Sequence, residues 1–330
     1  MAAAHGSTAR RGAFRPRIVV LGDVVVDVVL APAGDLENGT DIPGRVMLRQ
    51  GGSGTTTARW LGRIGARASL VGSVGRDAEG RALVAEIERD GVTTHVVRMT
   101  GQRTGRIGVV VAPGGERSFV QDRAAVLSLS PNHLRVSWFA GAALVHIPTY
   151  SLLGHPLADA GQRAAELGHT AGALVTIDLS SSRPLLAAGR ENALAIVAAT
   201  RPDLIFTARG EAEALVEDEE RLLEIAPIVV SKRGAAGAVV LIRGVDGANG
   251  GRPAVVHAPA HEIHAADLTG AGDAFDAGFL YEWLRARDGG GSAAGSARGP
   301  AQVALGLAAA AGNRLAERHL LAPKKELRFG

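Results

Sequence analysis

Asp267-Leu268-Thr269-Gly270-Ala271-Gly272-Asp273-Ala274-Phe275 stands near the C-terminal end of the chain, and an apolar run follows it. Ala274, Phe275, Ala277, Phe279, Leu280 and Leu284 recur at helical spacing, so Gly270-Ala271-Gly272 reads as a small-residue turn that opens a helix. A helix start carries N–H groups without intrahelical partners and the positive end of the dipole, which suits an anion. Glycines let the backbone close on a phosphate. Asp273 sits in the same turn. A carboxylate there hinders simple anion binding, but it is useful if it takes a proton from a hydroxyl that attacks phosphorus. Alone, Gly-x-Gly-Asp also reads as an ordinary helix start, so the rest of the chain has to decide.

Far upstream lies Gly51-Gly52-Ser53-Gly54-Thr55-Thr56-Thr57-Ala58-Arg59-Trp60-Leu61-Gly62-Arg63-Ile64-Gly65, followed by Gly72-Ser73-Val74-Gly75-Arg76-Asp77-Ala78-Glu79-Gly80. Paired glycines bring the backbone close to a small ligand, and Ser53 with the threonine run supplies hydroxyl donors and caps. The two stretches resemble the N- and C-terminal signatures of the ribokinase-like (PfkB) carbohydrate kinases. They stand in the family order and more than 200 residues apart. The resemblance runs from about Ile18 to about Asn313.

This resemblance implies an ATP-dependent kinase of a small sugar or sugar acid. Asp273 is then the base, and the amides of Gly270, Ala271 and Gly272 stabilise charge on the transferring phosphoryl group. The acceptor falls to Asp27, Gly51, Gly52, Ser53 and Thr56, with Arg117 from a lid hairpin. ATP falls to Lys232, Gly234 and Gly237 of the strand-and-loop Val229–Ala238, with Thr269 and Asn313. Glu211 is placed near Mg2+ through water, and Asp267 in a monovalent-cation (K+) loop. The chain departs from the pattern at Thr56 and Ala208, where Asn is usual, at Pro148, near a sugar-contacting Glu of ribokinases proper, and at Leu268, where Thr is common. Arg318-His319-Leu320-Leu321-Ala322-Pro323 does not match the Gly-Ala of the cation loop. Two alternatives follow: a nucleoside kinase of the same family, or a catalytically weak sugar- or nucleotide-binding regulator. Retention of Asp273 argues against the regulator.

Between the signatures, apolar runs at 17–21, 68–72, 143–147, 173–177, 203–206 and 227–230 alternate with amphipathic stretches at 54–65, 78–90, 156–168, 187–199 and 210–224. This pattern predicts an α/β fold, a central mostly parallel sheet flanked by helices on both faces. Residues 301–317 read as an Ala-rich helix. Segments 28–50 and 97–123 fit the sheet poorly. The second reads as a hairpin around Pro113-Gly114-Gly115-Glu116, and the resemblance makes both part of a small β lid over the acceptor. Val109, Val111, Phe119 and Val120 give that hairpin apolar surface, from which a homodimer joined through the lids is expected. Gly244–Arg252 and Asp288–Pro300 read as loops. Residues 1–16 read as a disordered leader, and 17–330 as the kinase domain.

Composition narrows the class. The 330 residues are 46% hydrophobic and include no cysteine, which excludes disulfides, a thiol nucleophile and a thiolate zinc site. Of 36 basic residues three are lysines, leaving 33 arginines, so the pI of about 9.8 accompanies a net charge of only +3. Aromatics at 4% argue against a nucleic-acid surface, and no apolar run reaches membrane-spanning length. The chain lacks a P-loop and a dinucleotide-binding glycine motif after its first strand. A cytoplasmic enzyme is expected.

Overall fold

The computed structural model describes residues 14–112, 114–244, 252–265, 267–288 and 299–329. The central sheet holds nine strands: β1 (Arg17–Leu21), β4 (Arg67–Gly75), β5 (Thr93–Met99), β8 (Leu144–Pro148), β9 (Leu174–Asp178), β10 (Leu204–Ala208), β11 (Ile228–Lys232), β12 (Ala238–Ile242) and β13 (Ala254–Ala258). Their order is β13-β12-β11-β10-β9-β8-β1-β4-β5. Pairing is parallel from β5 to β11, and β12 and β13 run antiparallel at one edge. The middle strands are short and buried on both faces, as sheets covered by helices require. From β1 the chain first builds outward to β4 and β5, then returns to place β8 on the other side of β1. This reversal opens a crevice at the carboxyl ends of β1 and β8, where ligands of open α/β sheets bind.

Helices α1 (Ser53–Arg63), α2 (Ala78–Arg89), α3 (Leu157–Thr170), α4 (Ser182–Leu185), α5 (Arg190–Ala199), α6 (Arg209–Leu215), α7 (Ala271–Asp288) and α8 (Pro300–Leu321) cover the sheet. One apolar core joins α1, α2, α7 and α8 to one face; another joins α3, α5 and α6 to the opposite face. The expected helix 210–224 is broken. Val216 is extended, and Asp218 caps a separate 3-10 turn at Glu219–Glu224.

A second sheet of four strands stands apart: β2 (Val25–Pro32), β3 (Gly44–Gly51), β6 (Gly105–Val111) and β7 (Arg117–Asp122), ordered β3-β2-β6-β7. Two expectations need correction. Residues 97–99 belong to β5 at the edge of the central sheet, so the second lid segment begins at Gly105. Val109 is not available to a partner: it is 3% exposed and packs with Val29 and Met47 on the inner face. Alternation along the strands instead leaves Val46 and Val120 outward, 69% and 68% exposed, with Leu30 beside them. Phe14, within the expected leader, packs edge-on against Tyr281. The remainder of that leader to residue 13, Pro113, and most of both expected loops lie outside the described residues.

Candidate active site

A single cleft of about 1650 Å³ runs between the lid and the carboxyl ends of the strands, roomy enough for two small ligands at once. Gly270, with φ +84°, turns the chain into α7, and the Ala274 amide donates to its carbonyl at 3.0 Å. Asp273 follows in the first helical turn. Ser53 Oγ, the first residue of α1, donates to Asp273 Oδ1 at 2.6 Å. Ser53, expected on the acceptor, is thus engaged with the expected base. Burial pushes the Asp273 carboxyl up to about 7; Asp178 and Glu211 add to this, while Ser53 and Lys232 oppose it. Of the three amides expected to meet the phosphoryl group, Ala271 donates instead to the Leu268 carbonyl at 3.2 Å. Those of Gly270 and Gly272 make no backbone hydrogen bond within the described residues, and neither does the next amide, that of Asp273.

Asp27 lies on β2, on the inner face of the lid, opposite Arg49 of β3. Its carboxylate presses onto Gly51: a Cβ there would come within 1.9 Å of Asp27 Oδ1, so only glycine fits. Burial raises the Asp27 carboxyl to about 7, helped by Asp273 and resisted by Arg49. The two carboxylates therefore share one space. Gly52 turns the chain into α1 with φ +96°, and Thr56 donates its hydroxyl to the Gly52 carbonyl at 3.1 Å.

Behind the turn, Lys232 closes β11. Its Nζ donates to Asp178 Oδ1 at 2.9 Å and to Asp276 Oδ1 at 3.3 Å, and stands 3.4 Å from where a Cβ on Gly272 would be. Burial opposes the ammonium, but Asp178, Asp276 and Glu211 outweigh it and raise its pKa. Lys232, expected on ATP, thus sits in a buried ion cluster under the anion turn. Glu211 caps α6 by accepting from the Ala208 amide at 2.7 Å, and burial followed by Asp178 raises its pKa. Gly234 also lines the cleft. Gly237 and Asn313 do not. The Asn313 amide donates to the carbonyls of Ala258 and Pro259, tying α8 to the end of β13.

Asp267 carries the lid. Its carboxylate pairs with Arg49 Nη1 at 3.0 Å and Arg117 Nη1 at 2.8 Å, and accepts from the Thr269 amide at 3.0 Å. Arg117 also donates to the Thr269 hydroxyl. The Asp267 carboxylate, expected in a monovalent-cation loop, is engaged here by two guanidinium groups.

Four further features escaped the sequence. Arg123 holds Asp23 by two bonds, 2.7 and 3.0 Å, at the crevice beside β1. Asp178 ends β9 in the ion cluster. Asp276 joins it from α7, and its i+3 spacing from Asp273 was the available signal. His319 of α8 bridges two elements. Trp60 Nε1–H donates to its Nδ1 at 2.9 Å, and its Nε2 stands 2.7 Å from the Thr269 carbonyl. Lys324 Nζ is also 2.7 Å from Nε2, which can serve only one of them. The Trp60 donor decides: with Nδ1 accepting, a neutral ring carries its proton on Nε2 and gives it to the carbonyl.

Residues 15–315 match the profile of the pfkB family carbohydrate kinases. Fructokinase-1 of Oryza sativa subsp. japonica is 30% identical over 271 residues, 78% of this chain and 80% of its own. The fructokinase of Klebsiella pneumoniae is 30% identical over 278 residues, 80% of this chain and 83% of its own. Two solved structures share the fold: adenosine kinase from Sinorhizobium meliloti (TM-score 0.73, 24% identity, covering 92% of this chain and 93% of that one) and ribokinase from Giardia lamblia (TM-score 0.73, 21% identity, 94% of each).

Proposed function

The chain belongs to the pfkB family of carbohydrate kinases, and on that premise we propose that it transfers the terminal phosphoryl group of ATP to a hydroxyl of a small sugar or sugar acid, with Asp273 as base. One observation carries this most: Asp273 stands in the anion turn, with Asp27 across the same cleft. The acceptor lies between them. Asp27, pressed on Gly51, accepts from its hydroxyls. Ser53 fixes the Asp273 carboxylate so that its other oxygen meets the attacking hydroxyl and takes the proton. With a pKa raised to about 7, Asp273 matches the working pH of a general base. The amides of Gly272 and Asp273 oppose the charge on the phosphoryl oxygens, and the Lys232 ammonium beneath supports them. The lid excludes water, which would otherwise take the phosphoryl group.

Among the described residues no three acidic or histidine side chains converge on a metal site. That sparse set fits magnesium, which keeps several waters and takes ligands from phosphates. Glu211, with Asp178 beside it, would hold its water shell, and the ion would neutralise ATP's phosphates. The exposed outer face of the lid, with Leu30, Val46 and Val120, supports a homodimer joined through the lids.

Asp273→Asn tests the chemistry. It keeps the shape and cannot accept the proton, so ADP release in the presence of acceptor falls by about 10²–10⁴-fold. ATP binding by calorimetry stays within a few-fold. Turnover near that of the parent protein would remove Asp273 from the role.

A further inference from the structure

The inner face of the lid carries one guanidinium whose gripping edge has no proper acceptor. Arg49 lines the cleft, in register opposite Asp27. Its Nη1 is taken by Asp267. Its Nε is buried with no hydrogen-bond partner, and its Nη2 meets only the Met47 thioether at 3.4 Å. Nε and Nη2 form the side-on edge of a guanidinium, the pair that holds a carboxylate or phosphate by two parallel bonds. A buried cationic donor left in this state is costly, and most such donors have acceptors. The thioether covering it is a poor acceptor on an unbranched, adaptable side chain.

The surrounding charge points the same way. Around Asp267 three cations gather: Arg49, Arg117 and Lys324, whose ammonium is disfavoured by burial and by the two arginines. Asp27 faces them across the strand pair. At the opposite pole one cation, Lys232, meets Asp178, Asp276, Glu211 and Asp273. The cleft is therefore polarised, with an acidic floor suited to a magnesium-bearing phosphate chain and a basic lid suited to a second, separate anion.

We propose that the acceptor is an anionic sugar, a sugar acid or a sugar monophosphate, whose carboxylate or phosphate is held side-on by Nε and Nη2 of Arg49 while its hydroxyls reach Asp27 and Asp273. Met47 moves aside, and Arg117 and Lys324 add charge. This deepens the kinase reading above and rests on it.

The test is ADP release by the purified full chain with matched acceptors: a neutral hexose, the corresponding sugar acid and the corresponding hexose monophosphate. One anionic class is expected to exceed the neutral sugar in kcat/KM by about 100-fold, as two charge-assisted bonds allow. Which class wins separates carboxylate from phosphate. Arg49→Lys and Arg49→Met remove the paired donors. Each is expected to cut kcat/KM for the anionic acceptor, through KM, at least about ten times more than for the neutral one. Ligand-induced thermal stabilisation of the unaltered protein by the same three compounds repeats the ranking without any variant. A neutral sugar used as well as its anionic counterparts would overturn the inference and leave the kinase reading standing. So would an equal loss of kcat with every acceptor in the Arg49 variants, which would place Arg49 at the transferring phosphoryl group. A folded, ATP-binding protein that phosphorylates none of them would overturn both.

Discussion

The floor and the lid of the cleft are electrostatic opposites. On the floor one lysine, Lys232, is enclosed by carboxylates from β9 and α7, with Asp178 and Asp276 almost fully buried. Under the lid the Asp267 carboxylate is enclosed by cations that belong to the small sheet and the C-terminal tail. The floor's partners all sit on elements locked into the central cores. The lid's partners join two bodies, and its own apolar cluster centres on Val29, Met47 and Val109. A charge set fixed by packing is preorganised for chemistry, which gains most when nothing reorganises during reaction. A charge set that joins two bodies can be redistributed when a ligand enters, which suits selection.

Four experiments would break or sharpen this contrast. The largest effect is expected on the floor. Lys232→Met strands Asp178 and Asp276 without their cation and costs about 3–5 kcal/mol of stability, read as a lower urea midpoint. Restoration of most of that loss by also changing Asp276→Leu would confirm that the ion cluster is the cause. A midpoint unmoved by Lys232→Met would mean that the floor is no more locked than the lid.

Next comes pH. Both Asp273 and Asp27 carry pKa values raised to about 7, and the base works only when ionised. Below that value both take up protons, so kcat/KM falls as pH drops through 7, by about tenfold per unit for each group that must be ionised. Stability runs the other way. A carboxyl raised above its unfolded value of 3.8 favours the folded state most at low pH, and that contribution is lost as pH rises through about 7. Asp273→Asn therefore raises the melting temperature at pH 8 by a few degrees. A flat rate profile between pH 6 and pH 8 would contradict the raised values.

A smaller effect is expected where floor and lid meet. His319→Ala frees the Thr269 carbonyl that precedes the anion turn, and kcat is expected to fall about tenfold, in proportion to one lost hydrogen bond. His319→Gln can still accept from Trp60 and donate to the carbonyl, so it should recover most of the rate. Equal losses for both variants would reduce His319 to a packing residue.

The smallest effect on turnover is expected outside. Val46→Glu with Val120→Glu charges the outer face of the lid and should convert a dimer to a species near 34 kDa by light scattering. A dimer that survives would place its interface elsewhere.

The sheet was legible in the sequence wherever a strand is buried on both faces, because such strands read as short apolar runs between helical stretches. Beyond the strands of the lid, three strands were not singled out. β5 is an edge strand with few apolar positions, and β12 and β13 lie in the antiparallel extension that breaks the alternation of strand and helix. The two glycine signatures were legible because their conformational demands are local. Arg49, Asp178, Arg123 and His319 were not. Each stands on a separate segment of the chain, and nothing in local spacing marks a guanidinium that will face a carboxylate 218 residues away. Of the lid's apolar residues Val120 does face outward, but Val109 lies on the covered face, since a strand's register decides which of two alternating sets is covered.

The contact between Asp27 and Gly51 has an evolutionary consequence. No side chain fits at 51 while a carboxylate occupies 27, and the two positions lie diagonally across adjoining strands, with Gly51 paired to Val25 and Asp27 to Arg49. Descendants of this sequence cannot gain a side chain at 51 while Asp27 stands. A lineage that moves to a different acceptor must shorten residue 27 first and only then gain a side chain at 51, so the two positions should change in that order or not at all.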